Sequence, residues 1–384
     1  MNPVTAISRA IFKEEHRIYR ESVRRYLERE IVPHYEKWER EGEVPRSFWH
    51  DAGGAGLLCP MVPEEYGGPG GDYLFNAVIL EEFVRIGATG LLGLSVHNDI
   101  VVPYLVDYGS EEQKAHWLPK MVSGEAVAAI GMTEPSGGTD IQAIRTTARR
   151  DGNEYVIDGQ KTFISNGHTA DFVLLAAKTD PSQKAKGISL LIVESDRQGY
   201  ARGRQLEKVG QHAADTAELF FESLRIPITN CIGEEGKGFA YMMEKLPQER
   251  LAIAVVAAAQ AETALQWTID YVKERQAFGR AVFEFQNTRF KLAEMAADTT
   301  LGRLFLDTCM EAHLTGDLDV PTAAMAKFWA TDMACRVIDE CVQLHGGYGY
   351  MREFPIARAW VDARVQRIYG GTNEIMKELV ARSL

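Results

Sequence analysis

Two periodicities alternate along this chain. From about Glu14 to Gly124 apolar positions recur at helical spacing, broken at turn clusters such as Gly53-Gly54 and Tyr66-Gly67-Gly68-Pro69-Gly70-Gly71. One helix start is well marked: Ser110-Glu111-Glu112-Gln113, after Gly109, has the spacing of a capping box, whose hydroxyl and amide satisfy two backbone donors left over at a helix start. From about Ala126 to Gly233 the signal changes to short β-rich runs at 126–132, 155–157, 172–176, 188–193 and 217–221. Asp151-Gly152 falls between two such runs, where glycine supplies the positive φ of a tight hairpin turn. From about Gly238 the pattern is helical again, with Ala-rich stretches at 251–273 and 284–313 that hold one glycine and no proline. The order predicts an α+β multidomain protein: an N-terminal helical domain over 1–125, a middle antiparallel β domain over 126–234 and a C-terminal helical bundle over 235–384. It is not a βαβ series, so no Rossmann cofactor site is implied.

Composition narrows the class. With 384 residues, 46% apolar, the chain holds more core than one compact domain usually needs. A formal net charge of -12, with no Lys/Arg stripe to offset it, argues against nucleic acid as a partner. The five cysteines are scattered and form no Cys-x-x-Cys pair, which argues against disulfides and structural zinc and for a reducing compartment. Glu14, Glu15, Glu21, Glu28 and Glu30 suit neither a secretory signal nor a transit peptide, and the longest apolar run, 251–259, is too short to span a bilayer. The expectation is a cytoplasmic protein, or a mitochondrial matrix protein whose targeting segment has been removed.

Several common chemistries are excluded on spacing. Gly233-Glu234-Glu235-Gly236-Lys237-Gly238 lacks the spacing and the hydroxyl of a nucleoside triphosphate loop. Gly93-Leu94-Ser95-Val96-His97 begins like a nucleophile elbow but ends in histidine within a helical region. The dispersed His97, His212, His313 and His345 contain no His-Glu-x-x-His pair, and no metal site is expected.

Six segments, in order, carry a more specific signal. They are Val62-Pro63-Glu64-Glu65-Tyr66-Gly67-Gly68; Met132-Thr133-Glu134-Pro135-Ser136-Gly137-Gly138-Thr139-Asp140, followed by Lys161-Thr162-Phe163-Ile164-Ser165-Asn166-Gly167; Gly233 to Phe239; Arg275-Gln276-Ala277-Phe278-Gly279; Gln343-Leu344-His345-Gly346-Gly347-Tyr348-Gly349; and Tyr369-Gly370-Gly371-Thr372-Asn373-Glu374. Singly, such glycine-rich turns are more often plain loop geometry than ligand cradles. Together they resemble the acyl-CoA dehydrogenase family over nearly the whole chain, most closely its long-chain branch.

The resemblance implies FAD as cofactor. Met132, Thr133, Gly138, Thr139, Phe163, Ile164 and Ser165 match positions that line the flavin, with Phe163 over a ring face and Ser165 near N5. Glycines there admit a close backbone approach, and the small hydroxyls can bond polar flavin or phosphate atoms. Arg275, Phe278, Phe285, Gln286, Gln343, Leu344, Gly346 and Gly347 match a set that reaches the FAD of a neighbouring subunit, where an arginine fork suits a diphosphate. Thr372 and Glu374 complete the implied cofactor set. A homotetramer, as a dimer of dimers, is therefore expected. Thr139, Pro247, Arg250, Gly370 and Gly371 are the implied contacts to a fatty acyl-CoA substrate.

One departure is informative. Many family members carry their catalytic glutamate in the C-terminal motif as Tyr-Glu-Gly-Thr, whereas this chain reads Tyr369-Gly370-Gly371-Thr372. In the isovaleryl-CoA and long-chain branches the base precedes an arginine in an earlier helix, and Leu246-Pro247-Gln248-Glu249-Arg250-Leu251 matches that pattern. By position alone Glu249 would be an idle acid near a helix start. A glutamate lost at Gly370 and gained at Glu249 marks it as the expected base. The resemblance further implies an electron-transferring flavoprotein as partner. An oxygen-using flavin oxidase of the same fold and a catalytically silent flavin-binding interaction protein remain as alternatives.

Overall fold

A computed structural model describes residues 7–384. The first section is built from the helices Glu14–Tyr26, Val32–Glu41, Arg46–Gly54, Tyr73–Arg85, Val102–Tyr108 and Glu111–Ser123. The expected capping box is formed: Gln113 N donates to Ser110 Oγ at 3.2 Å, and Ser110 N donates to Gln113 Oε1 at 3.0 Å. The turn expected at Gly53-Gly54 is instead the end of the helix Arg46–Gly54. A Cβ on Gly53 would stand 2.6 Å from the Ser123 backbone, so this glycine serves a close helix crossing rather than a turn.

The middle section is one seven-stranded sheet of β1 (Ala128–Gly131), β2 (Thr147–Asp151), β3 (Glu154–Ser165), β4 (Phe172–Lys178), β5 (Ile188–Glu194), β6 (Tyr200–Gln205) and β7 (Thr216–Pro227). Its path runs β1-β4-β2-β3-β7-β6, with β5 on β4. Antiparallel pairing dominates, while β1 and β2 each run parallel to β4. The hairpin expected at Asp151-Gly152 joins β2 to β3, with Gly152 at φ +63°. The continuous apolar runs of β4 and β5 follow from burial on both faces. Phe172, Leu174 and Ala176 turn into the main core with the helices, and Val173, Leu175 and Ala177 into a second core between strands.

The last section holds the helices Gly238–Glu274, Gln286–Thr315, Val320–His345, Pro355–Arg364 and Asn373–Ala381. The helix Gly238–Glu274 is central: its buried Ala254, Val255, Ala258 and Ala261 pack in the main core beside Ala77 and Val84 of Tyr73–Arg85 and Ala330 and Ala334 of Val320–His345. Buried charge ties the two helical sections as well. Arg303 donates to Glu81 at 2.8 Å and also pairs with Glu262, while Arg9 and Arg20 reach Glu81 at 2.7 Å each. Among the described residues no helix is long and apolar enough to cross a membrane.

Candidate active site

All three sections meet around a cavity of about 260 Å³. Leu92, Gly93, Val96 and Ile100 contribute one wall; Met132, Thr133, Gly138, Phe163, Ile164 and Ser165 another; Leu246, Glu249, Ala252, Ile253, Gly370 and Gly371 the third. Nine of the residues expected at the site thus share one space: six of the flavin set, Glu249, and the glycine pair.

The sheet wall is held by a buried ion pair. Lys161 Nζ donates to Glu134 Oε1 at 2.8 Å and to the Met132 carbonyl at 3.0 Å. Burial works to raise the Glu134 pKa, but Lys161 and the amides of Thr146 and Arg145 outweigh it and hold the carboxylate below its usual range. Thr162 N donates to the Thr133 carbonyl at 2.9 Å, so the ledge Met132-Thr133 is fixed from two sides. Between Lys161 and Ile164 the pairing of β3 with β7 slips, and in that irregularity Phe163 adopts φ +59°. The backbone there is strained, and it turns an aromatic ring outward, 68% exposed, at the cavity rather than into a core.

Glu249 lies well inside the helix Gly238–Glu274, not at its start. It is 7% exposed and accepts a hydrogen bond at Oε1 from the Tyr104 hydroxyl at 3.0 Å. Burial pushes its pKa up, Tyr104 and the Arg250 charge pull it back, and the balance rests at about 7. A carboxyl poised there exchanges a proton readily at neutral pH.

Facing it, Gly370 and Gly371 take φ +66° and +92°, a pair of left-handed residues that L side chains adopt only with strain. A Cβ on Gly370 would overlap Ile253 Cδ1. The turn is gripped through its carbonyls. Arg250 Nε lies 3.4 Å from the Gly370 oxygen, and Lys327 Nζ donates to the Gly371 oxygen at 2.7 Å. Arg250 and Pro247 do not line the cavity itself.

The other expected residues lie elsewhere. Arg275, Gln343, Leu344, Gly346 and Gly347 line a separate depression of about 620 Å³ together with Tyr271 and Tyr348. Phe278 is 96% exposed, with Phe285 edge-on to it at 6.2 Å, and Gln286 opens the helix that follows. Thr139 is exposed and does not line the cavity. Thr372 caps the helix Asn373–Ala381, accepting from Ile375 N, and Glu374 stands in its first turn, favourable to the helix dipole. No cluster of three or more metal-ligating side chains exists among the described residues.

Family models match the same three sections: the acyl-CoA dehydrogenase N-terminal domain at 13–125, the middle domain at 129–224 and the C-terminal domain at 236–384. The chain belongs to the acyl-CoA dehydrogenase family. It is thus a member of a family of oxidoreductases. The mitochondrial long-chain specific acyl-CoA dehydrogenase of Sus scrofa is 49% identical, over 98% of this chain and 88% of its own length. An acyl-CoA dehydrogenase structure from Geobacillus kaustophilus superposes with a TM-score of 0.95 at 53% identity, covering 97% of this chain and 98% of that one. A glutaryl-CoA dehydrogenase from Mycobacterium smegmatis, in complex with FADH2, superposes at 0.91 with 26% identity, covering 97% and 95%.

Within this family fold, three site neighbours escape sequence reasoning. Tyr104 is an ordinary helical tyrosine until the fold brings it to Glu249, 145 residues away. Ile253 is one of many aliphatics on its helix. Lys327 does leave a trace: it interrupts the apolar stripe formed by Ala323, Ala324, Ala330 and Ala334, all buried.

Proposed function

We propose that this protein is an FAD-dependent acyl-CoA dehydrogenase that converts a fatty acyl-CoA thioester to the trans-2-enoyl-CoA, with Glu249 as the base. The observation that carries the reading is the place of Glu249: a buried carboxyl lining the same cavity as a C-terminal turn made of two glycines, with burial pushing its pKa up to about 7.

The residues present suit a flavin. Phe163 offers an exposed aromatic face in a strained backbone conformation that no packing rewards. Thr133 and Ser165 line the same cavity with small hydroxyls beside it, and a side chain on Gly138 would meet only the Thr133 methyl, at 3.6 Å. Met132, Thr133, Gly138, Phe163, Ile164 and Ser165 would hold the ring system. Bound FAD would supply the oxidant, taking the β hydrogen with its electron pair.

The chain's own residues would do the rest. Leu92, Val96, Ile100 and Leu246 make an apolar lining suited to an alkyl chain and exclude water from Glu249. The α proton would pass to the Glu249 carboxylate, which Tyr104 holds in place through Oε1. The Gly370 amide would donate to the thioester oxygen as negative charge gathers there, a task that needs no side chain at position 370. The depression around Arg275 and the Gly346-Gly347 turn, with the bare Phe278 nearby, would serve the FAD of a neighbouring subunit in a homotetramer. An electron-transferring flavoprotein would then reoxidise the enzyme.

Anaerobic mixing of the purified yellow protein with a series of acyl-CoA esters tests this reading. Bleaching of the flavin by at least one ester, followed by slow recovery in air and fast recovery with an electron-transferring flavoprotein, is the expected result. Fast recovery in air alone points to an oxidase, and no bleaching by any ester contradicts the proposal.

A further inference from the structure

The base and the cofactor leave one buried amine without a task. Lys327, on the helix Val320–His345, is fully buried, where an ammonium ion is costly unless something needs it. Among the described residues it forms no ion pair within 4 Å, and its hydrogen bonds go to the Gly371 carbonyl at 2.7 Å and to Asn373 Oδ1 at 2.9 Å. Asn373 is anchored in turn, its Nδ2 donating to Thr331 Oγ1 at 2.9 Å and to Asp332 Oδ1 at 3.0 Å on the same helix as Lys327. Burial first, then the charges of Arg250 and Arg367, push its pKa down to about 7 against the pull of Asp332 and Glu374, and the amine keeps its donors in either protonation state.

We propose that Lys327 is a positioning residue for the reaction: it clamps the Gly370-Gly371 turn so that the Gly370 amide points at the thioester oxygen. The proposal rests on the acyl-CoA dehydrogenase reading of the site. Two consecutive left-handed glycines have no side chains to hold them and a wide range of accessible φ and ψ. The turn is held through its backbone instead, and the buried side chains of Arg250 and Lys327 take one carbonyl each. With the planes after Gly370 and after Gly371 both fixed, only rotation at Gly370 separates a pinned carbonyl from the amide that must donate. Released, the amide samples other directions, and a small misplacement of an oxyanion donor is expensive in rate.

The test uses the FAD-loaded enzyme and a 3-thia-acyl-CoA, an analogue whose sulfur acidifies the α proton and removes the β hydrogen, so that deprotonation occurs without oxidation. Its enolate is read at fixed pH as a long-wavelength charge-transfer band, normalised to bound FAD and bound analogue. Lys327→Met keeps the length and loses both donors, and the band should fall about tenfold while analogue affinity changes little; flavin reduction by a substrate should fall about ten- to a hundredfold. Lys327→Gln keeps a donor without the charge and should recover part of the band. A full band in Lys327→Met overturns the proposal, as do equal losses in Met and Gln, which would make charge rather than position the cause. Should Lys327→Met not fold, Lys327→Gln decides alone: a band a few-fold weaker at unchanged affinity supports the clamp, and a wild-type band overturns it. If the wild-type protein itself gives neither band nor bleaching, the functional reading fails, and the clamp fails with it.

Discussion

The Tyr104 hydroxyl donates to Glu249 Oε1 at 3.0 Å across a buried contact between two helices, joining residues 145 positions apart. A hydrogen bond to the charged form of an acid lowers its pKa, and here it opposes the burial that raises it. Only ionised Glu249 can accept a proton, so flavin reduction should rise with pH through a limb near 7 and level off above it. Tyr104→Phe removes the bond and leaves the burial. Its limb should move to higher pH by about one unit. Stopped-flow reduction of the wild type and Tyr104→Phe across pH checks this, and a limb that stays in place or moves down contradicts it.

The contact between positions 370 and 253 governs whether the base can be relocated. Gly370→Glu places a carboxylate in the C-terminal turn that lines the cavity with Glu249, but its Cβ overlaps Ile253 Cδ1 and its backbone must hold φ +66°. The single variant should lose about 1–3 kcal/mol of stability to strain. Cδ1 is the free end of a flexible side chain, so in a Glu249→Gln background Gly370→Glu should restore part of the lost rate, and Ile253→Ala should raise it further by removing the need for that side chain to swing aside. Reduction rates of the double and triple variants decide the matter, and equal rates for both would show that Ile253 does not block the position.

Arg275 is placed to report on assembly. It lies in the depression with Gly346 and Gly347 and sits over the Tyr348 ring at 5.7 Å. If that depression serves a neighbour's FAD, Arg275→Ala should weaken cofactor retention and subunit association together. Sedimentation with absorbance detection of the flavin follows both at once. Loss of FAD from an intact oligomer counts against a shared site.

Stability of the helical sections rests partly on Arg303, which is buried between Glu81 and Glu262. Burial works to raise the Glu81 pKa, but Arg9, Arg303 and Arg20 outweigh it and hold it well below 4.5. A carboxylate depressed in this way contributes stability that is present above its unfolded pKa and is lost as pH falls through the folded one. Arg303→Met should therefore cost about 3–5 kcal/mol near neutral pH, by leaving buried carboxylates short of a partner. The difference from wild type should narrow on acidification. Urea unfolding at several pH values measures it.

Much of this molecule is legible in its sequence, for reasons that differ by element. The Ser110 capping box and the Asp151-Gly152 hairpin are local chemistry, complete within a few residues. Strands β2 and β6, by contrast, read as Thr-Ala-Arg-Arg-Asp and Tyr-Ala-Arg-Gly-Arg-Gln, largely open to solvent, and carry no apolar alternation to find. The parallel pairing of β1 with β4 joins residues some forty positions apart and leaves no local mark. At the site, Glu249 was found through a motif and not through periodicity. Tyr104, Ile253 and Lys327 owe their places to tertiary packing, and of these only the lysine on an apolar stripe gave a signal that could have been read.

The central claim is that Glu249 is the base, and anaerobic stopped-flow reduction of Glu249→Gln tests it most directly. Glutamine keeps the size and can still bond Tyr104, but it cannot take a proton. With FAD content and acyl-CoA binding preserved, reduction by a good substrate should fall at least about a hundredfold. Reduction at the wild-type rate would contradict the account.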